Sequence, residues 1–272
     1  MRVTWVDIGH DRERSLSGHT YLFVGSDGGI ERPSGDEQDT EGSRADVLIL
    51  VQVNHEGGVT AVSIPRDLVV TGLGRPARIT LSLLEGPQTL VESVCSTLGV
   101  SVDRYVEIDA AGFAAAVNAL GGVSLHIAAP IRDPAASLSL DSAGEQLLAG
   151  EDALALVRSR HAEVYDGQTW ISIEDQGATD RARHGTEVLD AIRRQLSDAS
   201  SLTLLSAVWS ASDALTVAGG VHPEELRELA ESSLAPEVLA VSPLGAGLAK
   251  ALDDEGRRQL HNLGFDTGCT VT

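Results

Sequence analysis

Apolar positions along the chain alternate between two periods. "TYLFVG" (20–25) and "RYVEI" (104–108) read as strands, and "DVLILVQVN" (46–54) is a near-continuous apolar run, the pattern of a central strand covered on both faces. "GGVTAVSIP" (57–65) follows a Gly-Gly turn and predicts a hairpin with it. Val91, Val94, Cys95 and Leu98 recur at helical spacing within 88–98. "DAAGFAAAVNALGG" (109–122) predicts a helix capped by Asp109 and stopped at Gly121-Gly122. "VSLHI" (123–127) alternates like a half-buried strand with His126 on its outer face. "GEDALALVRSR" (150–160) reads as a helix or turn leading into a short strand, and 180–196 as an amphipathic helix. Strands interleaved with helices predict an α/β fold, a central mixed sheet flanked by helices, as one domain. Residues 1–19 read as an N-terminal extension, 20–198 as the main body and 199–272 as an Ala/Leu-rich continuation of the same domain, divided by Pro223, Pro236 and Pro243. Two long loops, 26–45 and 161–179, remain, and loops of that length in a compact domain are often functional.

Composition narrows the function. The 272 residues are 42% hydrophobic but only 3% aromatic, so the core is built from Val, Leu, Ile and Ala. A formal charge of −20 argues against a nucleic-acid surface, which needs the opposite sign. Lys250 is the sole lysine, so the cationic chemistry is arginine chemistry, suited to forked contacts with phosphate oxygens. No apolar run approaches the roughly 18 residues of a bilayer span, and the N-terminus lacks a signal-peptide core, which predicts a soluble chain. Cys95 shares its helical face with Val91, Val94 and Leu98, which predicts a buried free thiol.

The candidate chemistry lies at element ends. In "VSIPRDLVV" (62–70) a strand stops at a proline and Arg66 and Asp67 follow at once. The plain reading is a surface turn with an ion pair; the sharper one is an arginine aimed at an anion. On the helix from Asp180, Arg183 and Glu187 share a face with it, a stripe that ordinarily is only the solvated side. Arg158 and Arg160, two apart, would point the same way from a strand. Four arginines at element ends suit a pyrophosphate. Asp27 and Asp46, each beside a predicted strand end, could hold a divalent cation that also takes phosphate oxygens.

In this order, "GSD", "RAD" before an apolar strand, "SIPRD", "ALGGV", "RSRH" and "DRAR" resemble the LytR–CpsA–Psr (LCP) family over roughly residues 20–198. The resemblance implies an α/β enzyme of the bacterial envelope. Such an enzyme moves a glycopolymer from a polyprenyl-pyrophosphate carrier to a peptidoglycan acceptor, forming a phosphodiester with Mg²⁺ as cofactor. It implies that Asp27 and Asp46 hold the metal, that Arg66, Arg160 and Arg183 clamp the pyrophosphate, that Asp180 orients them and that Arg158 and Arg78 support. It implies an apolar tunnel for the polyprenyl chain, lined in part by Phe113 and the 119–122 segment, and an extracytoplasmic location with membrane contact through the lipid substrate. The family's N-terminal anchor has no counterpart in residues 1–19.

The chain departs from the pattern where Gly28 and Gly29 replace an arginine, where Thr186-Glu187 replaces Arg-Gln, at Thr80 and at Glu85-Gly86. Glu187 then either opposes the phosphate, recruits the metal or serves as base. Three alternatives stand beside the transferase: a weakened relative that binds polyprenyl pyrophosphates, a metal-dependent pyrophosphatase using the same site, and a structural protein with no ligand.

Overall fold

A computed structural model describes residues 3–8, 18–28, 42–54, 58–71, 74–159, 161–173, 187–188, 191–192, 194–195, 203, 210–220, 229, 236–245, 247–265 and 269. In chain order its strands begin with β1 (Thr4–Trp5), β2 (His19–Ser26), β3 (Ala45–Val53), β4 (Val59–Ser63), β5 (Val69–Val70), β6 (Ala77–Arg78) and β7 (Arg104–Asp109). There follow β8 (Val123–Ile127), β9 (Ile131–Asp133), β10 (Leu138–Leu140), β11 (Gly144–Leu148), β12 (Glu163–Tyr165) and β13 (Trp170–Ser172). The last are β14 (Leu215–Ala218), β15 (Glu237–Val238), β16 (Val241–Pro243) and β17 (Lys250–Leu252). Helices among these residues are α1 (Pro87–Leu98), α2 (Ala110–Ala119), α3 (Gly150–Arg158) and α4 (Asp254–Asn262). The chain divides into two compact units, one of Arg2–Ala110 with Asp213–Thr272 and one of Ala111–Ser212.

The first unit is built on a mixed sheet in the order β1-β14-β7-β2-β3-β4-β15. The predicted hairpin is present: β3 runs antiparallel to β4, and β2 lies between β3 (antiparallel) and β7 (parallel). Alternation along β2 sends Leu22 and Val24 to the face that also carries Leu48, Leu50, Val62 and Tyr105. That face packs on α1 through Leu90, Val91, Val94 and Leu98, all buried. The opposite face carries Tyr21, Val51 and Ala61, with Phe23 and Ile49 only partly buried and Val47 exposed. The segment read as an extension contributes to this unit, since β1 pairs with β14 and Ile8 is buried.

Cys95 is not a free thiol. It is joined to Cys269 across 174 residues of sequence, with Cα atoms 5.5 Å apart. The apolar face of α1 buries the sulfur as expected, and Cys269 reaches it because its N–H donates to Gly99 O at 2.9 Å.

In the second unit β8 pairs with β11, and β10-β9-β12-β13 form an antiparallel sheet. Leu125, Ile131, Leu138, Leu140, Leu156 and Val188 form its core. The predicted loop 161–179 is in part structured: Glu163–Tyr165 and Trp170–Ser172 pair as a hairpin, because two short runs of β-formers flank an Asp-Gly turn. Of the helix expected over 180–196, Glu187, Val188, Ala191, Ile192, Arg194 and Gln195 are helical. His126 is on the outer face as expected, beside Glu145.

Candidate active site

Arg66 sits in a tight turn at the end of β4. Leu68 N donates to Pro65 O at 2.9 Å, which places Arg66 and Asp67 at the two central positions. Three further backbone bonds fix the turn from outside: Ile79 N to Leu68 O (2.8 Å), Thr80 N to Arg66 O (3.3 Å) and Lys250 N to Asp67 O (3.0 Å). The side chain is thus projected from a braced backbone, not a mobile loop. Arg66 Nη1 donates to Asp46 Oδ1 at 2.5 Å, a partly buried charge-assisted bond. Asp67 is used differently: its Oδ1 accepts from Arg78 Nη1 at 3.1 Å. Arg78 is therefore engaged by the turn itself, and half-exposed.

Asp27 follows β2 directly. Its N–H donates to Arg44 O at 3.0 Å and its Oδ1 accepts from Arg44 N at 2.6 Å, locking the "GSD" and "RAD" segments together. Gly28 follows in a crowded place. A Cβ there would stand 2.7 Å from Ser43 Oγ and 3.3 Å from Asp109 Cβ, so a larger residue requires Ser43 to rotate away.

Four polar atoms of this sheet end, all buried, have no hydrogen-bond partner among the described residues: Ser26 Oγ, Arg44 Nε, Arg66 Nε and Thr80 Oγ1. The residues that carry them are linked in sequence and by bonds. Ser26 pairs with Ala45 in the ladder between Arg44 and Asp46, Asp46 holds Arg66, and Thr80 bonds the Arg66 carbonyl. Leaving such a group unpaired costs about 1–3 kcal/mol, so four together need a reason. Sequence reasoning gives Arg44 and Ser26 no role and Asp109 only a helix cap; the one signal for Arg44 is that it opens the "RAD" triplet that contains Asp46.

The donor chemistry suits a hard cation. Asp27 and Asp46 are carboxylates, and Mg²⁺ commonly takes one or two such groups and fills its remaining positions with water and phosphate oxygens. No cluster of three or more His, Cys, Asp or Glu occurs among the described residues.

At the opposite end of β7, beside Leu22, Tyr105 is buried and its hydroxyl donates to Glu107 Oε2 at 2.7 Å. Burial, reinforced by the Glu107 charge, pushes the phenol pKa far above its ordinary value.

The other expected residues belong to the second unit. Arg158 is not on a strand: it is the last residue of α3, exposed, with extended backbone beginning only at Ser159. Of the helix or turn expected over 150–160, the helix is what forms, because Ala153, Ala155 and Leu156 pack together into that unit's core. Phe113 is partly buried and packs against the same core. Glu187 is exposed on its helix. Arg160, Asp180, Arg183 and Thr186 lie outside the described residues. The structure brings together Asp46 and Arg66, ties Asp27 to Arg44, and keeps Arg78 on the Arg66 turn through Asp67.

The chain is 32% identical over 166 residues to the "Probable cell wall biosynthesis protein LcpB" of Corynebacterium glutamicum, covering 60% of this chain and 37% of that protein. It is 31% identical over 185 residues to the polyisoprenyl-teichoic acid–peptidoglycan teichoic acid transferase TagU of Halalkalibacterium halodurans, covering 64% of this chain and 54% of that one. The chain therefore spans about a third to a half of the length of these curated relatives. Among solved structures, a LytR-Csp2A-Psr enzyme from Actinomyces oris superposes with a TM-score of 0.79 at 29% identity, over 98% of each chain. The model of the LytR_cpsA_psr family matches residues 8–218, and the chain belongs to that family.

Proposed function

We propose that the protein is a phosphotransferase that moves a glycopolymer from a polyprenyl-pyrophosphate carrier to peptidoglycan, forming a phosphodiester. The observation that carries this reading is the set of unpaired buried polar atoms on Arg44, Arg66, Ser26 and Thr80 around the Arg66–Asp46 pair. A diphosphate, with several strong acceptor oxygens, would satisfy the guanidinium and hydroxyl donors at once. Phosphoryl transfer asks for positioning and charge neutralisation above all, which a braced arginine turn supplies.

In the reaction, an acceptor hydroxyl attacks the phosphorus bearing the glycopolymer and gives up its proton to a carboxylate beside the metal. The bond from that phosphorus to the bridging oxygen breaks, and polyprenyl phosphate departs with the electron pair. Arg66 and Arg44 hold the diphosphate and take up the charge that develops on it. Asp27 and Asp46 would hold Mg²⁺, which supplies further neutralisation of the phosphate oxygens. Arg160 and Arg183 as phosphate ligands, and Asp180 as their orienter, enter on family resemblance. The half-covered apolar face of Phe23, Ile49 and Val47 suits a polyprenyl chain.

The relatives named as teichoic acid transferases and cell wall biosynthesis proteins support an envelope role. So does the Cys95–Cys269 disulfide, since such bonds persist in oxidising compartments outside the cytoplasm. No described helix is long and apolar enough to cross a membrane. The crowding at Gly28 and the carboxylate of Glu187 favour one second reading, a polyprenyl-pyrophosphate binder with little turnover.

Direct binding tests the shared part of both readings. A soluble short-chain polyprenyl pyrophosphate is titrated into the wild type and Arg66→Ala with Mg²⁺ present. The wild type is expected to bind at least about ten-fold more tightly, the worth of one charged hydrogen bond. Equal affinity of the two proteins would contradict the assignment of the site.

A further inference from the structure

The outer face of the sheet β10-β9-β12-β13 is polar and aromatic. Register places Ser139 opposite Arg132, Arg132 opposite Glu163, and Tyr165 opposite Trp170, so these side chains share one face. Ile131, Leu138 and Leu140 point the other way into the core. The Arg132 guanidinium lies 4.3 Å from the centroid of the Trp170 ring, while Arg132 Nε donates to Glu163 Oε2 at 2.6 Å. The Tyr165 and Trp170 rings are 5.5 Å apart and tilted by 51°. Asp166 ties the hairpin turn, accepting from Gln168 N and Thr169 N at 2.8 Å each. Those backbone bonds hold its carboxyl below the usual range, Thr169 first and then Gln168.

The rings are therefore fixed in orientation, with Arg132 over one face of Trp170, and are not fully buried. Tyr165 and Trp170 are only partly buried, and Gly167, Gln168 and Thr169 beside them are exposed. The whole chain has only three Trp, three Tyr and three Phe, and a Trp–Tyr pair stands here on a solvent face. The face is not an apolar patch of the kind that seals a protein interface, because Arg132, Glu163 and Asp166 ring it. Aromatic rings edged by planar polar groups suit a pyranose: its C–H face stacks on the ring, and its hydroxyl and amide groups bond the carboxylate and guanidinium at the edge.

Charge selects among sugars. Arg132 against Glu163, Asp166 and Asp141, which accepts from Ser139 Oγ, leaves this face at −2 (one positive, three negative), within a chain of −20. A phosphate-rich polymer is repelled; a weakly charged amino-sugar strand is not. We propose that this face binds the glycan strand of peptidoglycan, serving as an acceptor platform. The assignment rests on the transferase reading for the identity of the glycan, and on Arg132, Tyr165 and Trp170 for its place.

The test uses the full chain and two probes: peptidoglycan sacculi stripped of attached polymers, and a soluble N-acetylglucosamine tetramer. Trp170→Ala is expected to weaken retention on sacculi about ten-fold, consistent with loss of one stacking contact, and Trp170→Phe to restore most of it. Arg66→Ala is expected to be retained like the wild type. In a chain with Trp5 and Trp209 replaced by Phe, the tetramer is expected to shift Trp170 emission, a readout that does not depend on Trp170→Ala folding. Retention unaffected by Trp170→Ala, no retention of the wild type, or an unmoved emission spectrum would each overturn the platform. If Trp170-dependent retention persists while the wild type releases no polyprenyl phosphate, the platform stands and the transferase reading falls. If release proceeds and retention ignores Trp170, the reverse holds.

Discussion

Arg66 Nη1 lies 2.5 Å from Asp46 Oδ1, so an arginine from the turn after β4 is held by an aspartate at the start of its antiparallel neighbour β3. The pair leaves Arg66 Nε buried and without a described partner. An arginine wanted only for a surface ion pair has no need of that arrangement. The pair orients the fork, and the remaining donor is available to an anion. Substituting Arg66→Lys keeps the charge and loses the fork, so it is expected to rescue little: turnover falls about 10²-fold or more in both Arg66→Ala and Arg66→Lys, measured as polyprenyl phosphate released. Rescue by lysine would mean that charge alone suffices.

The disulfide closes a loop of 174 residues and links α1 to the C-terminal segment. Constraint of the unfolded chain over that length is worth about 2–5 kcal/mol. Cys95→Ala with Cys269→Ala, or reduction of the wild type, is expected to lower the thermal midpoint by several degrees, read by calorimetry with and without reductant. An unchanged midpoint would mean that the unfolded state gains nothing from the link.

Gly150 opens α3 against the backbone of α2. Its N–H donates to Asn118 Oδ1 at 2.8 Å, and a Cβ at this position would stand 2.1 Å from Ala114 O. Gly150→Ala cannot be relieved by turning a side chain, because the obstacle is backbone. It is expected to destabilise by about 1–3 kcal/mol, read as a shift in the denaturant midpoint.

Tyr105 supplies a pH dependence. Its pKa is raised in the folded state by burial and by Glu107, so the phenol ionises more readily in the unfolded chain. The stability it contributes is complete below the unfolded pKa of about 10 and is lost as pH rises beyond it. Wild-type stability is therefore expected to fall more steeply above pH about 10 than that of Tyr105→Phe, with both followed by urea unfolding. Parallel curves would remove Tyr105 from the alkaline transition.

Much of the first unit was legible because its signals are local. The β3–β4 pair, α1 and the turn at Arg66 follow from uninterrupted apolar runs and from Pro65. What the sequence hid depends on long-range closure. Cys269 lies 174 residues from Cys95, and spacing says nothing about such a pairing. The sequence leaves 150–160 open between helix and turn; burial of Ala153 and Leu156 decides for the helix, which makes Arg158 its last residue and takes it off any strand. The hairpin at 163–172 was read as loop because its strands are three residues each, too short to show alternation. Thr4–Trp5 is a two-residue strand that exists only because β14 pairs with it.

Turnover addresses the central claim most directly. Purified protein is given a glycosyl-pyrophosphoryl-polyprenol and a peptidoglycan acceptor with Mg²⁺, and released polyprenyl phosphate is measured beside Arg66→Ala, Glu187→Gln and a chelator control. The account predicts release that requires the metal and is abolished in Arg66→Ala. Release that continues unchanged in Arg66→Ala, or no release from either the wild type or Glu187→Gln together with no binding of the lipid, would contradict it.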